Sequence, residues 1–162
     1  MEIELIAPCG MNCALCSTYL ALTGDVKQKG IRIPYCAGCR IRNKQCAFLK
    51  KRCKKLMFNK IDYCFECKDF PCKNLEGLDK RYKTYFRMSM IQNLKDIKKF
   101  GIEKFLLEQK KKWTCPKCGG TICCHNGICF SCSLDKLANK KKLYRWEEDN
   151  NKIINPKNYN FY

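Results

Sequence analysis

Cysteine placement constrains this chain more than any other feature. Sixteen of its 162 residues are cysteine, and they fall in two groups. Residues 1–75 hold Cys9, Cys13, Cys16, Cys36, Cys39, Cys46, Cys53, Cys64, Cys67 and Cys72. Residues 76–112 hold none, and residues 113–135 hold the rest. A chain this rich in cysteine is held together by disulfides or by metal. The opening residues Met1 to Pro8 carry neither a basic n-region nor a long apolar run, so no secretion signal is read there. The expected setting is therefore a reducing cytoplasm, with no membrane span, where thiols persist and bind metal.

The spacing predicts two metal modules with a helical spacer between them. Cys115-Pro-Lys-Cys118-Gly-Gly and Cys129-Phe-Ser-Cys132 are two C-x-x-C turns. Such a turn sets two sulfurs on one metal, and glycine behind it lets backbone N–H groups face the sulfurs. Between the pairs, residues 121–128 read as strand, Asn126-Gly127 turn and strand. The module is thus expected to be a zinc-ribbon-like β-hairpin with a four-thiolate site on Cys115, Cys118, Cys129 and Cys132. A two-residue turn would set Cys124 opposite Cys129, which makes Cys124 the substitute ligand. Cys123 reads as a small buried hydrophobe, and His125, the chain's one histidine, as an exposed residue beside the turn.

In the first module the candidate ligands are Cys9, Cys13, Cys16, Cys36, Cys39, Cys64, Cys67 and Cys72. Cys46 and Cys53 are weaker candidates. On one continuous helix their Cα atoms would stand about 10.5 Å apart, too far for both sulfurs to reach one zinc. Which motifs share a metal does not follow from the order of cysteines. The Cys9-x3-Cys13-x2-Cys16 spacing is that of the [4Fe–4S] cysteines in radical S-adenosylmethionine enzymes. Those enzymes need most of a barrel, on the order of 200 residues, which this chain lacks. Zinc, two or three ions, is the expected metal, and an iron–sulfur cluster on the N-terminal cysteines is the alternative. All-thiolate sites point to structural rather than catalytic metal.

Helical periodicity appears at three places. Tyr82, Phe86, Met90, Leu94 and Ile97 form one apolar stripe, closed by Gly101 as a C-terminal cap. Ile102, Phe105, Leu106 and Trp113 form a second. A short helix is expected over 14–22 with Asn12 as its N-cap, which would put Cys13 and Cys16 on one face. The expected fold is a small metal-stabilised α+β protein, mainly α, with cysteine knuckles (1–75) joined by a helical hairpin (76–112) to the ribbon-like module (113–135). A basic, then Asn-rich, tail (136–162) is expected to pack on the body.

Several stretches together resemble a prokaryotic cysteine-rich family of unknown function, the 3795 family. They are Ala7-Pro-Cys-Gly-Met-Asn-Cys-Ala-Leu-Cys16, Cys36-Ala-Gly-Cys39, Cys64-Phe-Glu-Cys-Lys-Asp-Phe-Pro-Cys72, Ile91-Gln-Asn-Leu94, Gly101-Ile-Glu-Lys-Phe-Leu106 and Trp113-Thr-Cys-Pro-Lys-Cys-Gly-Gly120. The resemblance runs over roughly residues 5–133. It implies a bacterial or archaeal zinc-binding protein and brings no activity or catalytic residue.

Charge adds a partner class. Thirty-three Lys and Arg against 15 Asp and Glu give a formal +18. Three four-thiolate zincs would each lower this by two, leaving about +12. Lysine runs at 50–52, 54–55, 110–112 and 140–142 can meet phosphates, with Phe48, Phe58, Trp113, Tyr144 and Trp146 as candidates for base stacking. The expected function is a zinc-stabilised binding module, with nucleic acid as one partner. The alternatives are a protein–protein adaptor and an iron–sulfur or thiol redox protein. No nucleotide loop, serine-nucleophile elbow or paired carboxylate site is present, which argues against an enzyme. Glu66, between Cys64 and Cys67, reads as an exposed residue or a carboxylate behind the ligands.

Overall fold

The computed structural model describes residues 1–42, 52–139 and 144–146. Cys46, Phe48, Lys50, Lys51, Lys140 to Lys142 and the tail beyond Trp146 lie outside these residues. The described chain is mainly helical, as its apolar periodicity predicts. Its α-helices are α1 (Ser17–Thr23), α2 (Lys54–Met57), α3 (Lys73–Phe86), α4 (Met90–Phe100), α5 (Ile102–Trp113) and α6 (Leu134–Ala138). None of them is long and apolar enough to cross a membrane.

The apolar stripe from Tyr82 to Ile97 is shared by two helices rather than carried by one. α3 buries Leu75, Leu78, Tyr82 and Phe86 and stops at Arg87, which takes a left-handed conformation (φ 50°). Ser89 then caps α4, its Oγ accepting the Gln92 N–H at 3.0 Å. The same hydroxyl donates to Asp79 Oδ1 at 2.8 Å, and the Ile91 N–H reaches that oxygen at 3.0 Å. These bonds give the backbone an alternative to the helical ladder, so the chain breaks and restarts. α4 ends as its glycine predicts, with Gly101 at φ 83° and its N–H on the Ile97 carbonyl. α5 buries Phe105, Gln109 and Trp113, four residues apart. α4 packs against both α3 and α5.

The N-terminal segment is split. Asn12 caps a 3-10 turn over Cys13–Leu15, its side chain accepting the Ala14 N–H at 3.1 Å. Cys16 is extended, and α1 begins only after it. Cys13 and Cys16 therefore do not share a helical face. The Gly10 backbone lies against α4: Asn93 Nδ2 donates to its carbonyl at 2.8 Å, and a Cβ at Gly10 would stand 2.8 Å from Leu94 Cγ.

The expected C-terminal β-hairpin is absent. Among the described residues there is no β-strand, only isolated bridges such as Thr114 to Thr121 and Ile122 to Cys129. A two-residue type I′ turn needs positive φ at both central positions. Gly127 has it (φ 71°) and Asn126 does not. Asn126 instead accepts the Ile128 N–H through its side chain at 3.0 Å, and Cys123 donates to the Ile128 carbonyl at 3.0 Å. The loop is longer than the dipeptide suggests, and the strands around it do not propagate.

The largest core cluster joins all three cysteine-defined segments. Leu5, Met11 and Leu15 meet Leu75, Leu78 and Phe86, then Met90, Leu94, Trp113 and Cys124. A second cluster sets Leu20, Val26 and Ile33 against Cys123, Ile128, Phe130 and Leu137. Trp146 closes over this region, donating from Nε1 to the Cys124 carbonyl at 3.0 Å and stacking under Arg87.

Candidate metal centre

The end of α5 delivers Trp113 to the core and leaves Cys115 and Cys118 in the turn that follows. Cys129 and Cys132 lie just ahead of α6. The four sulfurs lie within 4.8 Å of one another. Cys115 Sγ is 3.7 Å from Cys132 Sγ, and Cys118 Sγ is 3.6 Å from Cys129 Sγ. Zinc–sulfur bonds of 2.3 Å in a tetrahedron require sulfurs about 3.8 Å apart. The observed pairs are far too long for a disulfide and close to that value. The donor set fits a single thiophilic ion.

The backbone around the pair supports negative sulfur. Gly119 adopts φ 72°, which brings the Gly120 N–H to 3.4 Å from Cys118 Sγ. Cys115 N–H donates to the Gly120 carbonyl at 2.7 Å and fixes the turn. The Lys117 N–H, with help from Cys118 and the neighbouring sulfurs, draws the Cys115 thiol down to about 7. Cys118 goes the other way, to about 12: the Gly120 N–H favours its thiolate, but the sulfurs of Cys132 and Cys129 outweigh that bond. Four thiolates at this spacing repel one another unless a cation sits among them. The arrangement can hold a metal ion through four sulfurs.

The other residues singled out by sequence stand elsewhere. Cys124 is fully buried and turned into the main core, its N–H on the Leu15 carbonyl. It is not opposite Cys129, because Ile122 takes that register. Cys123 is a core residue, as its size predicts. His125 is buried rather than exposed. Its ring meets Phe86 edge-on at 4.5 Å, and Nδ1 accepts from the Ser17 N–H at 3.2 Å and the Ser17 hydroxyl at 2.9 Å. Burial, with Arg81 adding, holds its pKa down at about 4. Histidine's amphipathic ring fits core or surface, and the sequence offered no signal for the aromatic cage it enters.

In the first module the Cys39 N–H donates to Cys13 Sγ at 3.4 Å. Burial and the nearby sulfur of Cys39 keep the buried Cys9 thiol up at about 11, despite a Met11 N–H that favours its thiolate. Cys16 accepts from or donates to Thr18 Oγ1 at 3.1 Å, and Cys36 lies beside the Arg42 guanidinium. Cys64 is buried, which raises its thiol; the sulfurs of Cys9, Cys53, Cys72 and Cys67 add to that. Lys55 Nζ donates to Cys67 Sγ at 3.0 Å and to Asp69 at 3.1 Å. Among the described residues, only the C-terminal four bring three or more ligand atoms within 4.8 Å of one another. Glu66 is exposed, and its carboxylate accepts the Asp62 and Tyr63 N–H groups at 2.9 and 3.3 Å and so caps the turn over Cys64–Glu66.

Fold and site together define a cysteine-rich, mainly helical protein with a four-sulfur centre able to bind metal. Residues 5–77 match the model of a family described as a protein of unknown function (DUF3795). This is the family that the cysteine motifs resemble, and the match ends short of the C-terminal centre. No curated protein and no solved structure matches the chain.

Proposed function

We propose that this protein is a zinc-stabilised binding module. Zinc on Cys115, Cys118, Cys129 and Cys132 holds the C-terminal segment to the helical body, and a lysine-rich face outside it binds the phosphate backbone of nucleic acid. The observation that carries the metal half is the convergence of four sulfurs at 3.6 to 3.7 Å contacts. A metal there ties the end of α5 to the start of α6. It thereby holds Ile128 and Phe130 on Leu20, Val26 and Ile33. A set of four sulfurs with no water position is the composition of a structural site.

The nucleic-acid half is supported by the outer surface of α4 and α5. Lys98, Lys99, Lys104, Lys110 and Lys111 are exposed there. Phe100 is 46% exposed between Lys99 and Lys104, whose Nζ atoms stand 4.8 and 5.0 Å from its ring centroid. An exposed ring flanked by cations suits base stacking beside phosphate contacts. Trp113, a stacking candidate by sequence, is buried and packs on Trp146, so it does not take part. Phe58, 62% exposed beyond α2, stays available.

Gel-shift titration against single-stranded RNA and DNA at two salt concentrations tests this reading. Affinity should fall steeply with salt, and the Lys99→Glu/Phe100→Ala variant should bind at least about tenfold more weakly. Absence of binding at low salt, with a protein partner captured after nuclease treatment, would replace nucleic acid by the adaptor reading.

A further inference from the structure

The helices α4 and α5 also border a cavity of about 250 Å³, at the end where α3 gives way to α4. The buried Met88 and Trp113 form its apolar wall, and the rest of the lining is polar. Pockets for drug-sized ligands run from roughly 300 to 1,000 Å³, so this one suits a single small ring system.

Most of the polar wall is already committed. Ser89 Oγ caps α4 and donates to Asp79, and Asn93 Nδ2 holds the Gly10 carbonyl. Gln92 Nε2 donates to Asp96 Oδ1 at 2.8 Å, which leaves Oδ2 for a ligand. Gln109 is different. It is only 9% exposed, and its buried Oε1 has no hydrogen-bond partner. An unpaired buried acceptor is destabilising, and a donor brought by a ligand removes that cost. A primary amide that nothing secures can also turn about its last bond, so it can offer an acceptor and an N–H donor side by side. Charge on the wall is balanced. Lys111 pairs with Glu108 at 2.9 Å. Desolvation lowers the Lys112 pKa, and the nearby Asp96 carboxylate opposes that. What fits is an uncharged ring whose edge sets N–H donors beside an acceptor.

We propose that this cavity takes one unpaired nucleobase carrying an exocyclic amino group. The Gln109 amide meets the base edge in both directions, accepting one amino N–H and donating to the adjacent ring nitrogen. Asp96 Oδ2 accepts the second amino N–H. Uracil has the outline of cytosine and lacks that amino group, so it leaves Asp96 unserved. The inference rests on the nucleic-acid reading, in which the lysine face holds phosphates without regard to sequence, and adds base selection to it.

The test uses the full chain in two arms. In the first, gel-shift titrations compare oligocytidylate with oligouridylate of equal length at one salt concentration. The wild type should bind oligocytidylate at least about fivefold more tightly. Gln109→Met, similar in length and helix propensity, should erase that preference and keep the affinity for oligouridylate. Lys99→Glu/Phe100→Ala should weaken both alike and keep the preference. In the second arm, free cytidine or uridine is titrated into isotope-labelled protein. Cytidine should shift the side-chain amide resonances of Gln109, and uridine at the same concentration should not. Equal binding of the two oligonucleotides, or a preference that survives Gln109→Met, overturns base selection and leaves the lysine face standing. Cytidine bound at Gln109 by a protein that retains no oligonucleotide assigns the cavity to a free nucleoside and removes the lysine face instead. A protein that binds neither cytidine nor oligonucleotide overturns both.

Discussion

His125 and Gly10 are residues whose roles depend on what surrounds them. Because the Ser17 N–H points at His125 Nδ1, that nitrogen has to be unprotonated in the folded protein. Its pKa of about 4 lies below the ordinary 6.5, so protons bind the unfolded chain more readily. Stability from this residue is complete above pH 6.5 and is lost as pH falls towards 4, on the order of 3 kcal/mol in all. Urea denaturation of the wild type should show this acid loss, and His125→Gln should show it much reduced; identical pH profiles would contradict the role. Gly10 sits at φ 86° with the Met90 carbonyl and Leu94 against its missing side chain. Gly10→Ala should therefore destabilise by on the order of 3 kcal/mol, from left-handed strain and overpacking together. A thermal melt within a degree or two of wild type would refute that contact. Nothing in the first cysteine motif points to the helix that Gly10 rests on, because that helix lies about 80 residues away in the chain.

Among the elements, periodicity carried most of the information. The stripes on α3, α4 and α5 lie where apolar spacing puts them, and Gly101 ends α4 as a C-terminal glycine should. The break at Arg87–Ser89 was not legible, since a 3.6-residue stripe runs on unbroken through it. What stops the helix is a buried carboxylate, Asp79, that accepts from Ser89 and Ile91 and also meets Lys83 Nζ at 2.8 Å. Ser89→Ala removes both a cap and one of these donors. We expect a loss of about 1–2 kcal/mol by chemical denaturation, and Ser89→Asp to fail as a rescue because it sets a second carboxylate against Asp79. No measurable loss in the alanine variant would mean that the cap is replaceable by water. The missing hairpin has the same cause in reverse. Asn126-Gly127 is a strong turn signal, yet a side-chain bond from Asn126 to Ile128 selects a different loop, and local bonding of that kind is not visible in residue order.

For the whole molecule, the C-x-x-C pairs of the C-terminal segment were legible because both partners of each are local, and Gly119-Gly120 behind the first declares its turn. The first module was not, because its sulfurs come from segments separated by long stretches, and spacing carries no information on which segments meet. The structure sets Cys39 beside Cys13, places Cys53, Cys64, Cys67 and Cys72 around one cavity, and gathers most of these cysteines on the main core cluster. If metal holds the C-terminal segment in place, chelation should loosen the second core cluster before the first. Ile128 and Phe130 depend on the centre directly, whereas the α3–α4–α5 packing does not. Hydrogen exchange should then accelerate over residues 115–138 and in α1 while α4 stays protected. Uniform acceleration would mean that the metal supports the entire fold.

The claim beneath all of this is that a metal ion, bound by Cys115, Cys118, Cys129 and Cys132, closes the C-terminal segment on the body. Elemental analysis of the full chain beside Cys118→Ser/Cys129→Ser tests it most directly. The double variant should hold one zinc fewer per chain than the wild type. Equal zinc in both proteins, or a wild type that is folded with these four thiols all open to alkylation, would contradict it.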